Sequence, residues 1–243
     1  MYYLECGADL KGRMADDREH SSFSELTTGT INWDKVLQDV QWLNMLAINP
    51  ALNDNVAAVC MEANEAAVEK KITISMDFNF RSKLWKYGKQ PQEVMPALVK
   101  HCDVVMGNIW LAETMLDIPV DEHIHEKKSK QAYLDHARKT SEEIIARFPK
   151  CKVVANTFRF DGNENHILYY TTLYVDGQLY ASPEFTCKGV VDRSGSGDCF
   201  MGGLIYGLSK SLPPRIFWSM QQRQLLANYR KRVMPLTTMP LVL

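Results

Sequence analysis

Short apolar runs alternate with longer amphipathic segments along most of this chain. Five apolar runs are predicted to be strands: Trp42–Ile48, Ile72–Met76, Asp103–Met106, Cys151–Asn156 and Cys187–Val191. Helical periodicity occupies Trp33–Val40, the segment from the capping residue Asn53 to Lys71, the segment from Pro91 to about His101, Lys128–Phe148 with Leu134, Ile144 and Ile145 inward, and Cys199 to Leu208. This β-α-β-α order predicts an α/β fold in which helices flank a mostly parallel sheet, with ligands beyond the carboxyl ends of the strands.

One segment departs from this rhythm. His166–Val175 and Gln178–Pro183 are both strand-like, and only Asp176 and Gly177 separate them. Asp-Gly supplies the two positive φ angles of a tight turn, so the segment is predicted to be a β-hairpin.

The composition is typical of a soluble enzyme domain. The chain has 243 residues, 46% hydrophobic content and a formal net charge of -1, so it lacks a general attraction for nucleic acid or membranes. No apolar run approaches the roughly 18 residues of a membrane span, and Met1–Asp9 lacks the basic start of a signal peptide. The six cysteines are scattered without a C-x-x-C pair, which predicts reduced thiols in a cytoplasmic protein.

The stretch VVDRSGSGDCFMGGLIYGL, residues 190–208, is rich in glycine where a strand is predicted to pass into a helix. The Gly-Ser-Gly turn at 195–197 can bring backbone N–H groups close to an oxyanion, and the helix start adds unpaired N–H groups and the positive end of its dipole. Asp198 would stand beside that anion as a base, which is what phosphoryl transfer to an alcohol requires. The structural alternative is an ordinary N-cap role for Ser194 or Asp198.

The motif D-R-S-G-S-G-D-C-F-M-G-G-L resembles the D-T-x-G-A-G-D-x-F-x-x-G signature of the ribokinase-like (PfkB) carbohydrate kinases. The resemblance implies a ribokinase-like core with an anion hole for the transferred phosphate at Gly195, Ser196 and Gly197. It also implies a catalytic base at Asp198 and a nucleotide-side role for Asp192, the first acid of the motif. ATP and Mg2+ are the implied cofactors, with a monovalent cation as a further candidate.

A second constellation follows the strand that is predicted to end at Met76. The segment S-M-D-F-N-F-R-S-K-L-W resembles the S-x-D-x-N-x-R-x-x-L-W segment of 2-keto-3-deoxygluconate kinases, a branch of the same family. The resemblance implies that Arg81 and Asn79 bind an acid sugar, and a guanidinium fork can donate two parallel hydrogen bonds to a carboxylate. From the residues alone, a solvated loop is an equal alternative, because Asp and Asn favour turns.

A third match lies at the end of the next predicted strand. Gly107 and Asn108, with Glu113 further on, resemble the family's G-N-x-x-E region near the magnesium and the phosphates. Val153–Phe158 resembles the strand that leads to a nucleotide contact, with Thr157 at the family's threonine. Asn108 and Thr157 are therefore predicted to bind nucleotide, and Glu113 is a candidate metal ligand. Without the resemblance, a strand-end cap is the default interpretation of Asn108 and Thr157.

The first residues resemble a lid. Tyr2–Ala8 matches a lid strand that lies well inside the family's sequences, so the family's opening portion, with its first strands and a sugar-contacting G-G-x-x-x-N-x-A segment, is expected to be missing. Arg18 matches a lid arginine that contacts the acid sugar, although Asp16 stands where tyrosine is usual. We predict a partial lid over residues 1–30 and a ribokinase-like core over 31–210. Unpaired strand edges in the lid favour a homo-oligomer.

The last part of the chain differs in charge from the rest. All 29 acidic residues lie at or before Asp198, whereas the remainder carries six lysines and arginines. Residues 211–243 do not resemble the alanine-rich helices with which the family continues, and they are predicted to be a divergent basic tail. A changed reading frame near Ser209 is one hypothesis, and a basic helix over Ile216–Arg232 is the other.

Two classes of function remain open from the sequence. The first is an ATP-dependent sugar kinase that converts 2-keto-3-deoxygluconate to its 6-phosphate, with a kinase for another sugar, such as fructose or ribose, as a variant of it. The second is a catalytically impaired remnant or a binding protein that keeps the sheet and the anion site without a complete sugar pocket.

Overall fold

The computed structural model describes residues 2–4, 14–16, 18, 20–127, 129–161, 166–188 and 195–213 of the chain. The chain divides into two compact units. The first unit consists of Asp17–Thr157 and Thr171–Ala181, and the second consists of Tyr2–Asp16, Phe158–Tyr170 and Ser182–Leu243.

Strands and helices alternate up to the sixth strand, and strands alone then lead to the last helix. The strands are β1 (Tyr2–Leu4), β2 (Met14–Asp16), β3 (Trp42–Leu46), β4 (Thr73–Asp77), β5 (Val104–Gly107), β6 (Val153–Asp161), β7 (Ile167–Val175), β8 (Gln178–Ala181) and β9 (Phe185–Cys187). The helices are α1 (Trp33–Val36), α2 (Asp54–Glu69), α3 (Pro91–Val99), α4 (Ile109–Leu116), α5 (Lys130–Arg147) and α6 (Ser196–Ser209). Within the described ranges, none of these helices is long and apolar enough to cross a membrane.

Seven of the strands form one sheet, in the order β3-β4-β5-β6-β7-β8, with β9 paired to β7. Parallel pairing joins β3 to β4, β4 to β5 and β5 to β6, whereas β8 and β9 each pair antiparallel with β7. The predicted α/β fold with a mostly parallel sheet is therefore confirmed. In the second unit, β1 and β2 form a separate two-stranded antiparallel sheet.

Helix α2 shows how the sequence pattern builds the core of the first unit. Asn53 caps the helix, because its Oδ1 accepts the backbone N–H of Val56 at 2.9 Å. The apolar residues predicted to face inward are all buried: Val56, Val59, Cys60, Ala63 and Ala67. Full burial of a side chain as large as valine stabilises a fold by about 1.5–3 kcal/mol, so this stripe is a major reason why α2 packs where it does.

The buried side of α5 differs from the prediction. Ile144 is buried as expected, but Leu134 and Ile145 are only half-buried. The residues that α5 buries are Tyr133, Ala137, Thr140, Ser141 and Ile144. Two of these carry hydroxyl groups, and Ser141 satisfies its own by donating to the carbonyl of Ala137 at 2.6 Å. The apolar pattern therefore identifies Ile144, and Ile145 that packs beside it against the core, but it misses the buried hydroxyl-bearing residues of this helix.

The predicted hairpin is confirmed. Val175 of β7 lies opposite Gln178 of β8 in an antiparallel ladder. The two residues between them, Asp176 and Gly177, have φ angles of 51° and 73°. Two consecutive left-handed residues are what a type I′ turn requires, and Asp-Gly adopts them readily.

Three strand predictions need correction, and the largest change is in β6, which was predicted to end at Asn156 and continues to Asp161. The strand predicted to begin at Cys187 in fact ends there, because its partner β7 begins at Ile167, directly opposite Cys187, and offers no further residue to pair with. The last residues of that prediction, 189–191, lie outside the described ranges. Strand β3 ends at Leu46 instead of Ile48, because the N–H of Asn49 turns back to the carbonyl of Leu46 at 3.0 Å.

Two helix boundaries also move. Helix α1 ends at Val36, four residues earlier than predicted. Helix α6 begins at Ser196 instead of Cys199. Gly195 has a φ of 72°, so the left-handed residue that completes the turn lies directly before Ser196 and the helix can start at once.

Candidate active site

The carboxyl ends of four neighbouring parallel strands meet at one edge of the first unit. Leu46 of β3 lies opposite Asp77 of β4, Asp77 opposite Met106 of β5, and Gly107 opposite Asn156 of β6. The segments that follow these strands leave the sheet side by side, where open α/β sheets bind ligands. Four of the predicted site residues share this edge: Asn79, Arg81, Asn108 and Thr157.

Arg81 lies in the loop that follows β4, and only part of its guanidinium is engaged. Nη1 donates to the carbonyl of Phe80 at 2.9 Å. Nε is buried and has no hydrogen-bond partner among the described residues. A buried N–H without an acceptor costs about 1–3 kcal/mol, which a ligand oxygen can offset. The Nε side of Arg81 is therefore a candidate contact for a carboxylate.

Asn79 turns the backbone at the start of the same loop. The N–H of Phe80 donates to the carbonyl of Phe78 at 2.6 Å, which closes a three-residue turn around Asn79. The Asn79 side chain is half-buried. The loop thus leaves β4 abruptly, with Asn79 and Arg81 only two residues apart.

Two aromatic residues that were assigned no role from the sequence fix the C-terminal end of this loop. The rings of Trp85 and Tyr87 stack with centroids 6.0 Å apart, and the Tyr87 hydroxyl donates to the carbonyl of Pro50 at 2.7 Å. Burial, followed by the Asp54 carboxylate, raises the pKa of Tyr87 to about 12, so the hydroxyl keeps its proton and remains a donor. The signal in the sequence is the tryptophan that ends the S-M-D-F-N-F-R-S-K-L-W segment, with a tyrosine two residues later.

Gly107, at the end of β5, makes room for the start of the loop. A Cβ at this position would lie 3.1 Å from both Cβ and Cδ2 of Phe78, which is closer than side-chain contacts normally allow. Phe78 is fully buried, and its N–H donates to the carbonyl of Met106 at 2.8 Å. Glycine at 107 therefore lets the end of β4 pack against the end of β5.

Asn108 and Thr157 both have structural partners. The Oδ1 of Asn108 accepts the N–H of Leu111 at 2.9 Å, which makes Asn108 the N-cap of α4. The Thr157 hydroxyl donates to the carbonyl of Gly107 at 3.3 Å. These bonds account for both residue types without a ligand, so the nucleotide-binding roles of Asn108 and Thr157 stay predictions.

Glu113 is engaged at the other end of α4. Its Oε1 accepts the N–H of Val120 at 3.1 Å, in the segment that follows the helix. Within the described part of the chain, no group of three or more His, Cys, Asp and Glu side chains could hold a metal ion. The role of Glu113 as a metal ligand also stays a prediction.

The glycine turn and Asp198 lie in the second unit. Gly195 is the N-cap of α6 and has no side chain to cap it, so an N-cap role for Asp198 is excluded. Ser196, Gly197 and Asp198 form the first helical turn, whose N–H groups lack partners within the helix. A Cβ on Gly197 would meet no atom within 4 Å, and Asp198 is exposed. This geometry suits an anion with a carboxylate beside it.

The thiol that follows the candidate base is half-buried. Burial, and then the Asp198 carboxylate, raise the pKa of Cys199. The thiol is therefore neutral at ordinary pH and adds no second negative charge beside the Asp198 carboxylate.

Arg18 lies in the first unit, at the start of a segment that is tied to α2. The Ser21 hydroxyl donates to the carbonyl of Arg18 at 2.9 Å. Further along, Asn53 Nδ2 donates to the carbonyl of Ser24 at 2.9 Å. The sugar-binding role of Arg18 stays a prediction.

Some predicted features lie outside the described residues. These are the candidate nucleotide residue Asp192 and the tail beyond Pro213, with the basic helix proposed for it. The predicted lid, core and tail boundaries stay predictions as well.

The sequence and the fold both match carbohydrate kinases. The pfkB family carbohydrate kinase profile matches residues 22–216. A 2-dehydro-3-deoxygluconokinase from Thermotoga maritima is 27% identical with a TM-score of 0.83, over 96% of this chain and 67% of its own. A PfkB family carbohydrate kinase from Listeria grayi is 22% identical with a TM-score of 0.79, over 95% of this chain and 68% of its own. A candidate 2-keto-3-deoxygluconate kinase from Enterococcus faecalis is 16% identical with a TM-score of 0.80, and the match covers 96% of this chain and 66% of that kinase.

This chain thus spans about two thirds of the length of the three solved structures. Over that span they share its fold, so the predicted ribokinase-like architecture is confirmed. The family profile covers more than half of the chain and includes the described glycine turn, Asp198 and the Arg81 loop. The chain belongs to the pfkB family of carbohydrate kinases.

Proposed function

We propose that this chain phosphorylates a sugar acid with ATP, and that the reaction converts 2-keto-3-deoxygluconate to its 6-phosphate. The observation that carries the substrate class is Arg81, whose Nε is buried and has no acceptor among the described residues, in the loop that follows the carboxyl end of β4. The carboxylate of a sugar acid would supply that acceptor, and the planar guanidinium suits it geometrically. The similar protein from Thermotoga maritima is a 2-dehydro-3-deoxygluconokinase, which supports the same substrate class.

Each group has a separate task in this reaction. Arg81 and Asn79, with Arg18 from the lid region, hold the sugar acid so that its hydroxyl is oriented for transfer. Asp198 takes the proton of that hydroxyl, a role that contributes roughly 10²–10⁴-fold to rates in other enzymes. The N–H groups of the turn at 195–197 stabilise the negative charge on the phosphoryl group in the transition state of its transfer.

The nucleotide side of the proposal rests on family positions. Asn108, Thr157 and Asp192 would contact ATP, and Glu113 is the candidate protein ligand for Mg2+. When bound, Mg2+ neutralises charge on the phosphate oxygens, and a monovalent cation is a further candidate cofactor. We also infer a cytoplasmic location from the scattered thiols, and association through the edges of the β1–β2 sheet.

An ATP-coupled assay on 2-keto-3-deoxygluconate tests the reaction. Asp198→Asn should lower turnover at least about 100-fold while ATP binding is retained, because only the proton acceptor is lost. Asp176→Asn is the matched control, since it makes the same change at an exposed turn residue. Turnover by Asp198→Asn at the rate of the unaltered chain would refute the assignment of the base. ATP binding without any turnover by the unaltered chain would favour a remnant or binding protein instead.

A second assay tests the sugar class. Arg81→Lys keeps the charge but loses the fork, so kcat/KM for 2-keto-3-deoxygluconate should fall roughly 10- to 100-fold. Lys83→Gln removes an exposed charge two residues away and should leave kcat/KM within about twofold. A kcat/KM higher on fructose or ribose than on the sugar acid, and indifferent to Arg81→Lys, would replace the proposal with a kinase for a neutral sugar.

A further inference from the structure

The loop that carries Arg81 contains a second buried donor without an acceptor. The indole Nε1 of Trp85 is shielded from solvent, and it has no hydrogen-bond partner among the described residues. The same is true of the Nε of Arg81. Elsewhere in the first unit, the indole of Trp42 shows the ordinary arrangement, because its Nε1 donates to the Ser75 hydroxyl at 2.9 Å.

Backbone hydrogen bonds hold the two residues that carry these donors close together along the loop. The N–H of Leu84 donates to the carbonyl of Arg81 at 3.0 Å, which closes a four-residue turn, and such a turn holds its end Cα atoms within about 7 Å. Trp85 follows directly, and Lys86 donates to the carbonyl of Leu84 at 2.8 Å. Arg81 therefore begins a tight turn beyond the carboxyl end of β4, and Trp85 is the first residue after that turn.

The indole ring is held firmly in this position. It packs against the core of the first unit and stacks on Tyr87, whose hydroxyl is bound to the carbonyl of Pro50. A ring fixed on both sides cannot turn its N–H towards another acceptor at low cost. An indole N–H can only donate, so the partner that suits it is an oxygen with lone pairs.

We propose that Trp85 is a specificity-determining residue, whose indole N–H donates to the same anionic sugar substrate that Arg81 binds. This inference rests on the proposed function and extends it from one donor to two. Both donors are shielded from solvent, so the loop that carries them has to move when the substrate binds. Two unpaired N–H groups then gain acceptors at once, which favours an oxyanion over a neutral sugar.

Direct binding measurements test the role of Trp85 independently of catalysis. Calorimetry with 2-keto-3-deoxygluconate should give a Kd about tenfold higher for Trp85→Phe, which keeps an aromatic ring and removes the N–H. Trp33→Phe is the matched control, because the Nε1 of Trp33 is also buried and unpaired but belongs to α1, which precedes β3. That variant should bind the sugar acid as the unaltered chain does, and the Kd for ATP should be unchanged in both variants.

The outcomes separate the two proposals. Equal sugar-acid affinity of Trp85→Phe and the unaltered chain would overturn the role of Trp85 while the proposed function stands. No binding of the sugar acid by the unaltered chain would overturn both. Should Trp85→Phe fail to fold, the unaltered chain labelled with ¹⁵N-tryptophan provides the second test. The sugar acid should then shift an indole resonance that Trp33→Phe retains, and indole resonances unmoved at saturation would overturn the inference.

Discussion

At position 197, the stability of the helix favours alanine, whereas close approach of a phosphate favours glycine. Glycine inside a helix is up to about 1 kcal/mol less favourable than alanine, and a Cβ at this position would meet no atom within 4 Å. The other glycines of the candidate site have reasons within the fold, since Gly195 has a φ of 72° and Gly107 makes room for Phe78. The residues that the structure describes supply no such reason at Gly197, so we expect close approach of the phosphate to explain the glycine there.

Gly197→Ala should therefore stabilise the chain and damage the reaction. We expect the free energy of unfolding to rise by up to about 1 kcal/mol, and kcat/KM to fall at least about tenfold because the methyl group occupies the path of the phosphate. Denaturant titration and the coupled assay measure the two effects. As a control, Gly107→Ala should instead lose about 1–3 kcal/mol of stability through its clash with Phe78. Full activity of Gly197→Ala would contradict the anion hole.

At the scale of elements, α2 and α4 begin in the same way. In each helix an asparagine Oδ1 accepts the N–H three residues further on at 2.9 Å, from Asn53 to Val56 and from Asn108 to Leu111. The capping energy of the two should therefore be similar, at about 1 kcal/mol. Only α4 follows a strand end that is predicted to contact nucleotide, so a comparison of the two caps tests whether Asn108 has a binding role besides its structural one.

Asn108→Ala and Asn53→Ala should each lower the free energy of unfolding by about 1 kcal/mol. We expect a higher KM for ATP only in Asn108→Ala, because Asn53 caps a helix without a predicted nucleotide contact. Asn53 also donates to the carbonyl of Ser24, so its replacement should cost somewhat more stability. If KM for ATP is the same in both variants, Asn108 is a cap alone.

At the scale of the whole molecule, two histidines of the first unit couple stability to pH. Burial lowers the pKa of His101, with Lys100 as a smaller cause, and burial also lowers the pKa of His136. The Nε2 of each ring is buried and has no hydrogen-bond partner among the described residues. Both rings therefore favour the neutral form in the folded chain, whereas the unfolded chain protonates near the ordinary pKa of 6.5.

Stability should consequently fall as the pH is lowered through 6.5. In that range the unfolded chain binds more protons than the folded chain, so the free energy of unfolding rises with pH. The stability that is lost through the two histidines at low pH is fully regained above pH 6.5. Thermal melts at pH 5.5 and pH 7.5 should show a lower Tm at pH 5.5, with a smaller difference in the double variant His101→Gln, His136→Gln. An unchanged pH dependence in the double variant would contradict the assignment.

The sequence by itself determined the features that depend on neighbouring residues. These include the alternation of strands and helices, although helix α4 was not predicted, the turn at Asp176 and Gly177, and the cap of α2 at Asn53. Each follows from local backbone preference or from periodicity along one element. The Gly-Ser-Gly-Asp motif likewise predicts an anion site from local residues, because such a site needs only a glycine turn and a helix start, and that site stays a prediction.

Only the tertiary structure decided which groups are paired and which are left without a partner. The buried side of α5, the end of β9 opposite Ile167, and the bond of Glu113 to Val120 all depend on residues that a local pattern cannot bring together. The unpaired donors of Arg81 and Trp85 belong to the same class. An unpaired donor is defined by what the rest of the fold fails to supply, so it becomes visible only when every neighbour is in place.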